Sequence, residues 1–316
     1  MFRFERPQAV VEIGGVRFGG QPGENPTMLL GTMFYNGHKI VEKRKGARFD
    51  RKRAEELINR QETLSDETGV PGMLDLVANF PEEIEAYIDF VASVTDMPFA
   101  TDIWTVEPKL AAARHVAEVG LLDRYLYNSI APWSKDLERE TAELRDLGVK
   151  NALLVAFNTA DRTPEGRIRI LEDLLIPAAE KAGVKNILVD TSVLNIPATA
   201  FSILGGLTVK EAFGYPVGCA PSNGTDMWKT PKERWGKLGF AGVDSAAHAV
   251  ASLYNDFLLY GPIESAPWIF PAVAAADSIL STFRFDEEGA LPEPGHPLSL
   301  HFPEFVEELG KGGREG

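Results

Sequence analysis

Residues 151–192 read NALLVAFNTADRTPEGRIRILEDLLIPAAEKAGVKNILVDTS, and this stretch decides the fold. Two short apolar runs, at 151–158 and 186–192, enclose a longer segment in which apolar residues recur at helical spacing. The helical segment has Pro164 near its start and Gly183 at its end, as helices commonly do. A strand, a helix and a second strand in this order predict a βαβ unit with parallel strands.

The same alternation extends over most of the chain. We count eight apolar runs of strand length, separated by amphipathic segments. The predicted strands span 28–35, 72–78, 98–104, 124–130, 151–158, 186–192, 214–220 and 264–270. Eight such units in 316 residues fit a (β/α)8 TIM barrel better than an open doubly wound sheet, because no G-x-G-x-x-G follows the first strand.

Two flanking segments complete a single predicted domain over residues 1–316. Within residues 1–26, VVEIGGVRFGG alternates apolar and polar residues about Gly14 and Gly15, which predicts a β-hairpin that closes the bottom of the barrel. The tail, residues 285–316, is rich in proline and has little helical periodicity before FPEFVEELG. We expect this tail to lie on the barrel exterior.

Composition narrows the class of partner. The chain has 44% hydrophobic and 25% charged residues, and no apolar run approaches the roughly 18 residues of a membrane span. The N-terminus lacks the continuous apolar region of a secretory signal, so we expect a cytoplasmic protein without a membrane anchor. A net charge of −14 argues against nucleic acid as a partner. Cys219 is the single cysteine and the five histidines lack zinc-site spacing, so no bound metal is expected.

Polar residues follow several predicted strands at the point where each strand ends. In a TIM barrel these ends meet at the catalytic mouth. A carboxylate can accept two parallel N–H groups, and an amide both donates and accepts, so such residues suit a flat heterocycle such as a pterin. They also cap helices and brace loops, and the tryptophans that follow strand ends (Trp104, Trp133 and Trp228) fit either a lining or a packing role. The candidates are Asp75, Asp102, Asn128, Asn158, Asp190 and Asn223.

The chain resembles, over nearly its whole length, the pterin-dependent corrinoid methyltransferases, in the motifs IGGVRFGGQPGENPT, FYNGHKIV, YNSIAP, TPEGRIRILE and APSNG. This family includes the H subunit of tetrahydromethanopterin S-methyltransferase and bacterial methylcorrinoid:tetrahydrofolate methyltransferases. The resemblance implies a barrel of the pterin-binding superfamily. It also implies transfer of a methyl group between N5 of tetrahydrofolate and a corrinoid (methylcobalamin) carried by a partner protein, and assembly as a homodimer.

The resemblance also implies residue roles. It assigns the pterin clasp to Asp102, Asn128 and Asp190, and it places the Asn223 amide near N5. Asp75 matches a further acidic position of the pocket, and Asn223 and Asp75 are the implied catalytic residues. The full predicted pterin site is Asp75, Asp102, Asn128, Asn158, Asp190, Ser222 and Asn223.

Alternatives stay open at this point. The chain could be an H subunit that uses tetrahydromethanopterin in a membrane-associated complex, or a non-catalytic pterin-binding subunit. A sugar-phosphate or acyl lyase on the same barrel would need a compact glycine-rich phosphate loop after the last strands, which APSNGTDMWKTPKERWGKLG does not offer. Dihydropteroate synthase is disfavoured, because that family would have Asp-Pro-Gly where this chain has Asp190-Thr191, and a lysine near a serine where it has Ser222-Asn223. A thiol acceptor is disfavoured because Cys219 has no partner cysteine.

Overall fold

The fold is a closed barrel, seen in a computed structural model that describes residues 3–312. The strands in chain order are β1 (Val10–Ile13), β2 (Val16–Gly19), β3 (Met28–Met33), β4 (Val41–Lys43), β5 (Arg48–Phe49), β6 (Gly72–Val77), β7 (Phe99–Asp102), β8 (Tyr125–Ile130), β9 (Asn151–Val155), β10 (Asn186–Asp190), β11 (Val217–Cys219) and β12 (Phe257–Pro262). Strand β3 and strands β6 to β12 form the closed parallel barrel, which confirms the predicted (β/α)8 fold.

Helices surround the barrel. In chain order they are α1 (Arg51–Thr68), α2 (Pro81–Val94), α3 (Val106–Glu118), α4 (Leu137–Leu147), α5 (Pro164–Ile170), α6 (Ile176–Lys181), α7 (Thr199–Phe213), α8 (Pro221–Met227), α9 (Thr230–Arg234), α10 (Gly236–Ser252), α11 (Ala266–Glu288), α12 (Pro297–His301) and α13 (Pro303–Lys311). A π-helical turn, Leu171–Leu175, joins α5 to α6, so the predicted helix of the opening βαβ unit is continuous but irregular.

The N-terminal hairpin is present as predicted. Strands β1 and β2 pair antiparallel, and Gly14 and Gly15 have positive φ, which glycine adopts without steric cost. Val11, Ile13 and Phe18 are buried together with side chains from the first halves of the barrel strands. The hairpin therefore fills the N-terminal end of the barrel; residues 1–2 of the predicted segment lie outside the described residues.

The eighth predicted strand is wrong. Its predicted range is 264–270, but the strand is Phe257–Pro262, and most of ESAPWIF lies in the first turns of α11. Gly261 and Pro262 make FLLYGP resemble a loop, while the apolar residues of ESAPWIF resemble a strand. Pro267 fits the first turn of a helix, where its missing N–H is not needed.

Helix α11 is long and apolar, and the sequence analysis does not predict it. By length and composition alone, residues 263–288 could cross a membrane, but 56% of their most apolar window is buried within the protein. The helix packs against α1 and α10, and its buried Asp277 accepts hydrogen bonds from the Thr27 backbone N–H (2.9 Å) and hydroxyl (2.7 Å). These contacts are those of a core helix.

The C-terminal tail begins later than expected. Helix α11 continues to Glu288 and ends at Gly289, whereas the tail is predicted from residue 285. Beyond it, α12 packs on α11 and α13 is largely exposed on the surface. Residues 313–316 of the predicted tail lie outside the described residues.

Candidate functional site

A cavity of about 840 Å³ opens at the C-terminal end of the barrel. Each of the eight barrel strands, or the segment that follows it, contributes to the lining. This is the end at which TIM-barrel enzymes place their active sites. Six of the seven predicted site residues line it: Asp75, Asp102, Asn128, Asp190, Ser222 and Asn223.

Strand register brings three of these residues together. Asp102 of β7 lies directly opposite Asn128 of β8, and Thr32 of β3 lies opposite Asp75 of β6. The Asn128 amide donates to Asp75 Oδ1 at 3.3 Å, and the Thr32 hydroxyl approaches Asp75 Oδ2 at 3.4 Å. Asp75 is fully buried, so it lies on the floor of the cavity, and these contacts link it to β3 and β8.

Three of the carboxylates that line the cavity, Asp75, Asp102 and Asp190, are held in an unfavourable environment. Burial raises the pKa of Asp75 well above its ordinary value, and the neighbouring Asp102 raises it further. Burial also raises the pKa of Asp102 to about 6, with Lys109 opposing the shift. The pKa of Asp190 is likewise raised by burial to about 6, although the Ser192 N–H opposes this. Near neutral pH, Asp102 and Asp190 therefore place negative charge in the cavity, which Lys109 and the Ser192 N–H offset only in part.

Asp190 is oriented by a buried arginine that the sequence analysis does not identify. Asp190 Oδ1 accepts a hydrogen bond from the Ser192 N–H at 2.7 Å. The next carbonyl along the chain, that of Thr191, accepts two hydrogen bonds from the Arg167 guanidinium, each at 3.2 Å. Arg167 belongs to TPEGRIRILE, so this motif fixes the turn that presents Asp190 to the cavity.

Lys109 is a second residue that sequence reasoning misses. It lies on α3 among buried alanines, is 4% exposed, and lines the cavity. Its Nζ donates to the Ser129 carbonyl at 2.8 Å and to Glu140 Oε1 at 2.6 Å, and Glu140 also accepts from Tyr127 at 2.6 Å. The available signal is a lysine directly before the apolar run LAAA on the predicted helix. The ion pair braces strand β8 just after Asn128.

Helix α8 presents Asn223 to the cavity. It begins directly after β11, and its Ser222 hydroxyl donates to the Leu259 carbonyl at 3.0 Å. The Thr225 hydroxyl donates to the buried Asp244 carboxylate at 2.7 Å. With the helix fixed at both points, the exposed Asn223 amide remains on the cavity wall.

One predicted site residue is placed elsewhere. Asn158 does not line the cavity; its side-chain oxygen accepts hydrogen bonds from the backbone N–H groups of Ala160 (3.0 Å) and Asp161 (3.2 Å). Strand β9 ends at Val155, three residues earlier than predicted, so Asn158 braces the following loop instead.

The tryptophans that follow strand ends differ in their position relative to the cavity. Trp104 and Trp133 line the cavity, whereas Trp228 lies outside its lining.

Cys219 is buried, and burial raises the pKa of its thiol. Among residues 3–312, no group of three or more His, Cys, Asp or Glu side chains is arranged to hold a metal ion.

The sequence is similar to a defined protein family along most of its length. Residues 6–290 match the family model described as tetrahydromethanopterin S-methyltransferase MtrH subunit. The H subunit of tetrahydromethanopterin S-methyltransferase from Methanopyrus kandleri is 39% identical, covering 93% of this chain and 98% of the relative. The H subunit of a putative methyltransferase, mtx, from Methanosarcina barkeri is 37% identical, covering 95% of this chain and 99% of the relative.

Solved structures resemble the fold at much lower identity. Yersinia pestis DHPS with a pterine–sulfa conjugate superposes with a TM-score of 0.55 at 11% identity, covering 86% of this chain and 99% of that one. Xanthomonas albilineans dihydropteroate synthase with 4-aminobenzoic acid gives a TM-score of 0.53 at 14% identity, covering 87% and 98%. At these identities the likeness shows the barrel fold alone.

Proposed function

The chain belongs to the MtrH family of tetrahydromethanopterin S-methyltransferase subunits, and on that premise we propose that it is a methyltransferase acting on a tetrahydropterin. In the proposed reaction, a methyl group moves between N5 of the pterin and a corrinoid carried by a partner protein. The corrinoid supplies the cobalt atom that gives or accepts the methyl group.

The observation that carries this proposal is the convergence of Asp75, Asp102 and Asp190 with the amides of Asn128 and Asn223 on one cavity. The pyrimidine side of a pterin presents an amino group and a ring N–H, which a carboxylate can accept as a parallel pair. Asp102 and Asp190, with the Asn128 amide beside them, offer such acceptors at the barrel mouth. We assign the pterin clasp to these three residues.

Asn223 and Asp75 are the proposed catalytic residues. Asn223 faces the cavity from the rigid start of α8, where its amide can donate a hydrogen bond to N5. When the methylated pterin is the methyl donor, this hydrogen bond would strengthen as the N5–methyl bond breaks and electron density returns to N5, so it would stabilise the transition state more than the bound substrate. Asp75, with its strongly raised pKa, can hold a proton in the pocket near neutral pH. Alignment of N5 with the incoming methyl donor supplies the rest of the rate gain.

The identity of the pterin is part of the proposal. The names of the relatives favour tetrahydromethanopterin, while the sequence motifs also resemble bacterial enzymes that use tetrahydrofolate. Both substrates share the reduced ring and differ in the tail. The clasp residues would contact the shared ring, so we propose a tetrahydropterin as the substrate. A direct comparison of binding and methyl transfer with the two pterins identifies the tail.

Partner proteins follow from the same reaction. The relatives are named as subunits, which supports assembly with other chains. A corrinoid-bearing protein would approach the open mouth of the barrel, where the cavity meets solvent. Homodimer formation is a proposal that rests on the family resemblance, and a cytoplasmic location is a proposal that rests on the composition of the sequence.

The direct test mixes purified protein with methylcob(III)alamin, or with methylated corrinoid proteins, and either tetrahydrofolate or tetrahydromethanopterin. We expect a change in the cobalt absorption spectrum that requires a pterin. Binding of pterin without any spectral change would favour a non-catalytic pterin-binding subunit. Absence of both binding and spectral change with both pterins would contradict the proposal.

Two substitutions separate the proposed roles. Asn223→Ala should slow methyl transfer from the methylated pterin to cob(I)alamin about 10- to 100-fold at saturating pterin, because it removes a hydrogen bond that matters most in the transition state. Asp190→Ala should instead raise the Kd for pterin about tenfold or more, because it removes a charged acceptor of the clasp. Stopped-flow spectra and calorimetric titration measure the two effects. Equal effects of both changes on binding and rate would refute these assignments.

A further inference from the structure

Two tryptophans form an exposed aromatic surface on the wall of the cavity. Trp104 is 78% exposed and Trp133 is 42% exposed, although both are large apolar side chains. Their rings are stacked, with centroids 5.7 Å apart and planes inclined by 23°. Both indoles line the same cavity as the carboxylates. Burying such a surface against a flat ligand would remove a large apolar area from water.

The pair lies above the polar clasp. Trp104 follows Asp102 by two residues, which an extended chain spans in at most about 7 Å. Trp133 follows Asn128 by five residues, and Asp102 and Asn128 are direct neighbours across β7 and β8. The same wall of the barrel therefore carries hydrogen-bonding groups near its floor and an aromatic surface nearer the mouth.

We propose that the Trp104–Trp133 pair is a binding subsite for an aromatic ring carried by the tail of the pterin. This inference rests on the proposed function. The tail attaches at the pyrazine end of the ring system, and in one-carbon carriers of this class it begins with an arylamine. If the clasp holds the pyrimidine end near the floor, the tail emerges toward the mouth, where the indoles lie.

The spacing of the indoles specifies how the ring would bind. A ring inserted between two others needs about 7 Å between the outer planes, so a 5.7 Å centroid separation leaves no room for it. The arylamine therefore stacks on the exposed face of Trp104, and Trp133 supports Trp104 from behind. An offset stacked contact of this kind favours aromatic rings over other flat groups.

A matched control pair lies elsewhere on the surface. Trp228 and Trp235 are 38% and 52% exposed, and their rings contact edge to face at 5.6 Å. Neither lines the cavity. Substitution of Trp235 therefore removes an exposed indole that contacts another tryptophan, without touching the proposed subsite.

The test compares full and truncated ligands. Calorimetry measures the Kd of tetrahydrofolate, tetrahydromethanopterin and 6-methyltetrahydropterin, which lacks the aromatic tail, for wild type, Trp104→Ala, Trp104→Phe and Trp235→Ala. We expect Trp104→Ala to raise the Kd of the natural, tail-bearing pterin about tenfold. The same change should leave the Kd of 6-methyltetrahydropterin within about twofold of the wild-type value. Trp104→Phe should restore most of the loss, and Trp235→Ala should change neither Kd.

Other results overturn the inference. Equal weakening of full and truncated ligands by Trp104→Ala, or no weakening of either, would show that the pair does not bind the tail. Slower transfer from a corrinoid protein with an unchanged pterin Kd would make the pair a protein contact instead. Wild-type protein that binds none of the three ligands would overturn the proposed function as well, which separates that failure from failure of the subsite alone.

Discussion

At the N-terminal end of the barrel, the hairpin covers the strands with Val11, Ile13 and Phe18, whereas at the C-terminal end the same strands lead into a cavity lined by carboxylates. The first end buries apolar side chains completely or nearly so. The second holds carboxylates whose pKa values burial has raised. Stability therefore comes from one end, and the other keeps chemical groups that lower stability but can bind a ligand.

The hairpin should make the larger contribution to stability. Phe18 is fully buried where the hairpin meets the barrel, so Phe18→Ala should lower the free energy of unfolding by about 3 to 4 kcal/mol. Urea denaturation followed by circular dichroism measures this. Phe201→Ala, at a phenylalanine that is 58% exposed, is the matched control and should change stability little.

Phe18→Ala should lower stability without changing pterin binding. Phe18 lies at the opposite end of the strands from the cavity, so the folded fraction of Phe18→Ala should bind pterin with the wild-type Kd. A large loss of pterin affinity at a temperature where the variant is folded would show that the two ends are coupled.

The cavity carboxylates should lower stability as pH rises. The pKa of Asp190 is about 6 in the folded protein and lower in the unfolded chain, so the folded state retains a proton that the unfolded state has lost. This difference lowers the free energy of unfolding between about pH 4 and pH 6, and the loss persists above that range. Asp190→Asn removes this cost, because an amide has no charge to desolvate and its oxygen can still accept from Ser192.

Asp190→Asn should therefore be more stable than wild type at pH 7.5, by about 1 to 2 kcal/mol after allowance for partial solvent screening, and nearly equal to it near pH 4. Urea midpoints at both pH values measure the difference. Asp66→Asn, at an exposed carboxylate, is the matched control and should leave the urea midpoint nearly unchanged. A variant less stable than wild type at pH 7.5 would contradict the view that the cavity holds destabilising charge.

The contrast between the two ends also explains what the sequence could predict. The strands and hairpin follow from local apolar patterns, and strand ends of a barrel converge, so Asp102, Asn128 and Asp190 could be placed in one site from sequence. Lys109 and Arg167 lie on helices and reach the site through buried contacts, so the convergence of strand ends does not locate them.

The ends of strands are the second feature that the sequence predicts inaccurately. The eighth strand is misplaced because Gly261 and Pro262 resemble a turn, although barrel closure makes them part of a strand. Asn158 is assigned to the site because the sequence pattern extends β9 by three residues past Val155. Tertiary pairing sets where a strand ends, and single-sequence patterns locate such ends only approximately.

Substitution of Asn158 should have the smallest effect on stability, and it tests whether the pterin site extends past the cavity wall. Its side chain accepts two loop N–H groups, so Asn158→Ala should lower the free energy of unfolding by about 0.5 to 1 kcal/mol and leave the pterin Kd unchanged. Asn128→Ala is the matched change inside the cavity, and it should raise the Kd by about tenfold because it removes an amide of the proposed clasp. Calorimetric titration of both variants decides the point: a similar rise in Kd for the two would mean that the loop after β9 folds over bound pterin and that the site extends beyond the cavity wall.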